Sequence, residues 1–147
     1  DIRKTLYEES NGTYRVVNKY VDELGSDNVR VIRYEEVLLN KAEALAKTGG
    51  AAAALTIINQ IATARGGATY TAGTLDNVLA ERRLELAMEG HRLFDLARNG
   101  KNIALFGSIR NVPGFATSLP FGNYRFALPI PQAEMDANSN MVQNSGY

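Results

Sequence analysis

Glu85 and Glu89 stand one helical turn apart in the run Glu81-Arg82-Arg83-Leu84-Glu85-Leu86-Ala87-Met88-Glu89-Gly90-His91-Arg92. Two carboxylates so placed could imitate the pair of a glycoside hydrolase, whose carboxyl groups lie about 5–9.5 Å apart across a cleft. Such pairs flank a scissile bond and usually come from different elements. Here both acids share one helix with arginines, and the spacing suits those arginines better than a substrate. Arg82 and Glu85, Glu89 and Arg92, Arg92 and Asp95, and Asp95 and Arg98 are each three residues apart, so each pair can meet along one side. A carboxylate buried without a partner costs several kcal/mol, which accounts for so many acids and arginines together. Arg82, Glu85, Glu89, Arg92 and Asp95 are therefore expected to form a partly buried structural charge network, with no catalytic residue among them. His91, the one histidine, follows Gly90 in the same run with no nucleophile presented to it, and reads as structural.

Two further groups of residues have ligand chemistry. Phe106, Phe115, Phe121 and Tyr124 lie in or beside a long glycine- and proline-rich stretch. Sugar rings stack on exposed aromatic faces, so Phe115, Phe121 and Tyr124 are the ligand-binding candidates. Asp22, Glu23, Asp27 and Asn28 surround Gly25 and offer oxygen ligands for calcium, but without EF-hand spacing they read as a solvated loop. No other cofactor and no metal site is expected.

These residues must be held by the elements around them. The run from Leu75 to Gly100 is expected to be one long helix, with Leu75, Val78, Leu79, Leu86, Leu93 and Ala97 on one face. Leu84 and Met88 fall nearly opposite, which places this helix inside a stack rather than at the surface. Tyr34 to Lys47 reads as a helix with Tyr34, Leu38, Ala42 and Leu45 inward, ended by Gly49-Gly50. Ala51 to Arg65 reads as a second, with Ala54, Leu55, Ile58, Ile61 and Ala62 inward. The pair fits one tetratricopeptide (TPR) unit through Ala42, Leu45, Gly49, Ala54 and Ile58. Residues 1–33 are expected to be extended, with a hairpin turning at Asn11-Gly12. Residues 101–147 are expected to be irregular, with a short extended segment at Tyr124 to Ile130 and one helical turn at Gln132 to Asp136. The fold class is thus mainly α, with helix pairs, long irregular loops and short extended segments.

Composition narrows the function. Lysine plus arginine equals aspartate plus glutamate at 16 each, which gives no support to a nucleic-acid partner. The absence of cysteine excludes disulfides and thiolate chemistry within these 147 residues, and no apolar run approaches the roughly 18 residues of a membrane helix.

Four motifs, in order, resemble the C-terminal part of SusD/RagB-like proteins. They are Val31-Ile32-Arg33-Tyr34-Glu35-Glu36-Val37-Leu38-Leu39 leading to Ala42-Glu43-Ala44, and Asn59 to Arg65 at the end of the second helix. The third is Glu81 to Leu86 with Glu89-Gly90-His91-Arg92 and Phe94-Asp95-Leu96. The last is Leu128-Pro129-Ile130-Pro131 with Glu134, Asn138 and the terminal Gln143-Asn144-Ser145-Gly146-Tyr147. Asn99, Ser139 and Ser145 depart from the tryptophan and prolines common in that family. The resemblance implies the C-terminal portion of a SusD-like α-α superhelix of TPR-type pairs, and a glycan-binding component of a polysaccharide-uptake system. It implies a protein lipid-anchored at the outer-membrane surface through sequence upstream of Asp1, which also holds the main ligand site. It implies capture of oligosaccharide for a TonB-dependent SusC-like transporter, and no enzymatic activity. The alternative from the same helices is a TPR-type protein-interaction scaffold without sugar binding.

Overall fold

The computed structural model describes the chain except for residues 11, 12, 17, 23 and 105–117, and the side chains of 9, 10 and 13–16. Two compact units form, Asp1–Arg92 and Leu93–Tyr147. In the first, a 3₁₀ helix Ile2–Leu6 leads into the antiparallel pair β1 (Tyr7–Ser10) and β2 (Thr13–Val16), in which Tyr7 faces Val16 and Ser10 faces Thr13. That register leaves two residues to turn the hairpin, and the expected Asn11-Gly12 turn itself lies outside the described residues.

Helices α1 (Tyr34–Lys47), α2 (Ala51–Ala64) and α3 (Leu75–Glu85) follow. They enclose one core in which Leu39, Ala42, Ala54, Ile58 and Val78 are fully buried. The first two helices begin where the apolar period predicts. Glycine stops both: Gly49 and Gly66 adopt φ of 86° and 64°, a region an L side chain enters only with strain. At the end of α2 the Gly67 amide donates to the Ala62 carbonyl at 2.8 Å, satisfying an orphan acceptor. Thr74 caps α3, its hydroxyl accepting from the Asn77 amide at 3.2 Å.

The inward face of α1 is rotated from the expected one. Tyr34 is 69% exposed, and the buried positions are Leu39, Ala42 and Glu43, with Leu38 and Leu45 half-buried beside them. At the helix start, Arg33 donates to Glu85 at the end of α3 and to Glu89 in the turn beyond it. Leu84, 46% exposed, and Met88 also lie outside the core, so α3 is apolar on one face only.

The long helix expected from Leu75 to Gly100 is broken. It ends at Glu85, and a tight turn through Met88 (φ 63°) and Gly90 (φ 81°) precedes α4, Arg92–Arg98. Within this turn the Leu86 amide donates to Arg82 O at 2.9 Å and the Glu89 amide to Leu86 O at 3.1 Å. A left-handed methionine costs about 1–2 kcal/mol.

The second unit holds α4, the short antiparallel pair β3 (Ile103–Ala104) and β4 (Ser118–Leu119), a 3₁₀ turn Tyr124–Phe126 and α5 (Gln132–Ala137). The extended segment expected at Tyr124 to Ile130 begins as that 3₁₀ turn, and only its second half is extended. Pro129 and Pro131 remove two donors, so no strand pairs there. Side chains of the C-terminal tail take the place of a partner strand. Gln143 Oε1 accepts from the Ile130 amide at 2.7 Å and its Nε2 donates to Ile130 O at 2.9 Å. Asn144 Nδ2 donates to Leu128 O at 2.7 Å, and the Tyr147 hydroxyl to Ala127 O at 2.9 Å. No helix among the described residues is long and apolar enough to cross a membrane.

Candidate functional site

The carboxylates on and after α3 meet cations that arrive from four other segments. Glu85, its side chain 3% exposed, accepts from Arg33 Nη1 at 2.7 Å, Arg65 Nη2 at 2.8 Å and Nε at 3.1 Å, and Arg3 Nη1 at 3.3 Å. Glu89 accepts from Lys19 Nζ at 2.5 Å and from Arg33 Nε at 3.0 Å. Glu81, almost wholly buried, accepts from Arg3 Nη1 at 2.6 Å and from the Tyr70 hydroxyl at 2.9 Å. Arg33 thus grips both Glu85 and Glu89.

The expected three-residue pairing is accordingly corrected for these two acids. Arg82 turns away to Asn40 Oδ1 at 2.7 Å and lies 3.9 Å from Glu43 Oε2. Arg92 is exposed rather than partly buried, and its Nη1 lies 3.5 Å from Leu79 O. In the other unit, Asp95 is buried and pairs with Arg98 at 2.6 Å, as the spacing predicts. Arg3, Lys19, Arg33 and Arg65 were not legible as partners because their meeting depends on tertiary packing. The only local signal is that Arg33 and Arg65 stand at the two ends of the helix pair.

These contacts decide what the acids can do. Burial pushes Glu85 up, but hydrogen bonds and charge from Arg65 and Arg33 outweigh it and hold its carboxyl at about 2. Glu89 is held low by Arg33 and Lys19 against its own burial. A general acid must carry a proton near the working pH, and neither residue does. Both share Arg33 instead of facing each other across a cleft. Because Glu85 drops to about 2 on folding from an ordinary 4.5, its stabilisation is complete above pH 4.5 and is lost as the pH falls toward 2. Urea titrations between pH 6 and 2.5 are expected to show a loss on the order of 3 kcal/mol from this group, and a flat profile would contradict the pairing.

His91 Nε2 lies 3.9 Å from Glu36 Oε2 with no nucleophile beside it. Asp22 turns its carboxylate to the amides of Leu24 and Ser26 and to the Ser26 hydroxyl, and Asp27 accepts from the Asp22 amide at 2.7 Å. The Asp22 and Asp27 oxygens considered for calcium are therefore turned onto their own loop, while Glu23 lies outside the described residues. Among the described residues no three acidic or histidine side chains form a metal-holding group.

Of the aromatic candidates, Phe106 and Phe115 lie outside the described residues. Phe121 is 54% exposed and packs edge-on to Phe126 at 5.8 Å between centroids. Tyr124 is more engaged. Tyr147 meets it edge-on at 5.0 Å, and the Arg125 guanidinium lies 5.6 Å from its centroid. Gly146 (φ 97°) sits so close that a Cβ there would fall 2.5 Å from Tyr124 Cγ. Phe121 therefore has the more open ring, and Tyr124 anchors the C-terminal clasp.

The SusD family model matches residues 4–147. A SusD-like protein of Formosa agariphila is 33% identical over 125 residues, covering 76% of this chain and 23% of that protein. A SusD superfamily protein from Bacteroides vulgatus superposes with a TM-score of 0.79 at 37% identity, covering 100% of this chain and 36% of that one. Surface glycan-binding protein A from Bacteroides uniformis gives a TM-score of 0.70 at 29% identity, over 98% of this chain and 37% of that one.

Proposed function

This chain belongs to the SusD family, with the mainly α, TPR-like fold of that family, and from this we propose that it is part of a glycan-binding protein of a polysaccharide-uptake system. The observation that carries the reading is the likeness to a surface glycan-binding protein over 98% of the chain. The protein captures oligosaccharide at the outer-membrane surface, where a lipid anchor holds it, and delivers it to a TonB-dependent SusC-like transporter. Its action is binding without hydrolysis. The low-held, arginine-bound carboxylates Glu85 and Glu89 support this, since they lack the proton that cleavage of a glycosidic bond requires. The exposed ring of Phe121 is a candidate stacking face, as is Phe115 in the same stretch of sequence.

The test is calorimetric titration of the full gene product against a panel of oligosaccharides, with reducing ends assayed in parallel. Saturable binding without new reducing ends is expected. No binding to any member of the panel would favour the TPR-type protein scaffold, and released sugar would favour a hydrolase.

A further inference from the structure

A cavity of about 450 Å³ opens in the first unit beside the 3₁₀ helix. This lies within the roughly 300–1,000 Å³ typical of small-molecule sites. Its apolar lining comes from Tyr7, Tyr70 and Leu84, and Lys4 and Thr69 add polar groups to the lining. We propose that this cavity is a subsite for a single pyranose unit of a glycan, with the rings of Tyr7 and Tyr70 as its stacking surfaces. The inference rests on the glycan-binding reading and adds to it a site in this part of the chain.

Three observations carry it. The first is composition of the lining. A pyranose has C–H faces that pack on aromatic rings and a girdle of hydroxyls that need donors and acceptors. Two tyrosines and a leucine supply the former, and the Lys4 ammonium and Thr69 hydroxyl the latter.

The second is rigidity. Tyr70 is pinned at both ends: its hydroxyl donates to Glu81, its amide donates to Asn59 Oδ1 at 2.7 Å, and Asn59 Nδ2 donates to its carbonyl at 3.0 Å. The wall beside it is equally fixed. Asp1 accepts from Arg3 Nη2 at 2.6 Å, and this pair sits against Gly67, where a Cβ would fall 2.8 Å from Asp1 Oδ2. A preformed wall loses little entropy on binding, which is what lets a small ring be held at all.

The third is the state of the polar groups. Arg3 is committed to Asp1, Glu81 and Glu85. The Lys4 ammonium, by contrast, has no hydrogen-bond or ion-pair partner among the described residues, and Lys4 lines the cavity. Leu84, half exposed on the outer face of α3, has no place in the core and is explained by this lining.

The test is saturation-transfer NMR on the full gene product with short hexose and uronate oligosaccharides, comparing wild type, Tyr7→Ala and Tyr7→Phe. Loss of one stacking ring is expected to weaken binding about three- to tenfold, with Tyr7→Phe close to wild type. Should Tyr7→Ala loosen the hairpin, Leu84→Ala probes the same wall from an exposed position and is expected to weaken binding at least about twofold. Binding unchanged in Tyr7→Ala and in Leu84→Ala would overturn this subsite while leaving the glycan-binding reading intact. Failure of the wild type to bind any of the probes would overturn both.

Discussion

Replacing Arg33 by alanine is expected to lower the stability of the fold by roughly 3 kcal/mol, toward the lower end of the 3–5 kcal/mol measured when a buried ion pair loses one partner. Arg33 spends its guanidinium on Glu85 Oε1, on Glu85 O at 2.5 Å and on both oxygens of Glu89. Its side chain is 15% exposed, and those of the two acids 3% and 2%, so water replaces little of what is lost. Arg65 and Arg3 remain on Glu85 and Lys19 on Glu89, which is why the upper end is not reached. Lysine at this position keeps the charge but not the fork, and is expected to recover only part of the loss. Urea denaturation of the two variants measures this directly, and a loss below about 1 kcal/mol for Arg33→Ala would place the pair among ordinary surface bridges.

Gly73→Ala is the second large effect. Gly73 lies in the loop before α3, pressed against the first turn of α2, and a Cβ there would fall 2.0 Å from Ala51 O and 2.5 Å from Leu55 N. Both obstacles are backbone, so no rotamer change relieves them. The loop or the helix must move, at a cost at or above the upper end of the roughly 1–3 kcal/mol typical of overpacking. A thermal melt within a degree or two of wild type would show that the loop yields freely. The alanine-rich start of α2 thus serves this contact, while the pairing of α2 with α1 runs through Ala42, Ala54 and Ile58.

How much of this the sequence carried depends on the range of the interaction. Helices α1 and α2 were legible because apolar period, glycine stops and alanine content agree within one short stretch. The break after Glu85 was legible only in part: Gly90 signals a bend in the run, but nothing in Leu86 to Met88 marks where the helix stops. The turn that replaces it runs through Met88 (φ 63°) and Gly90 (φ 81°), and Arg33, more than fifty residues upstream, holds Glu85 and Glu89 on either side of Met88. The burial of Glu85 and Glu89 could be inferred from the density of charge, but their partners could not. Each cation comes from a segment whose approach only the folded chain determines. At the C-terminus, Pro129 and Pro131 signalled the failure of strand pairing. The side-chain clasp of Gln143, Asn144 and Tyr147 that replaces it has no periodic signature.

The acids of α3 and the turn after it hold the fold together, and the glycan-binding proposal assigns the grip on sugar to aromatic faces elsewhere. Glu85→Gln separates the two roles, since it keeps the shape and removes the charge. The decisive measurement is a glycan titration of the full gene product carrying Glu85→Gln, made below the variant's own melting temperature. The account predicts a lowered melting temperature with affinity within about twofold of wild type. Undiminished melting together with lost binding, or the disappearance of a hydrolytic activity present in the wild type, would contradict it.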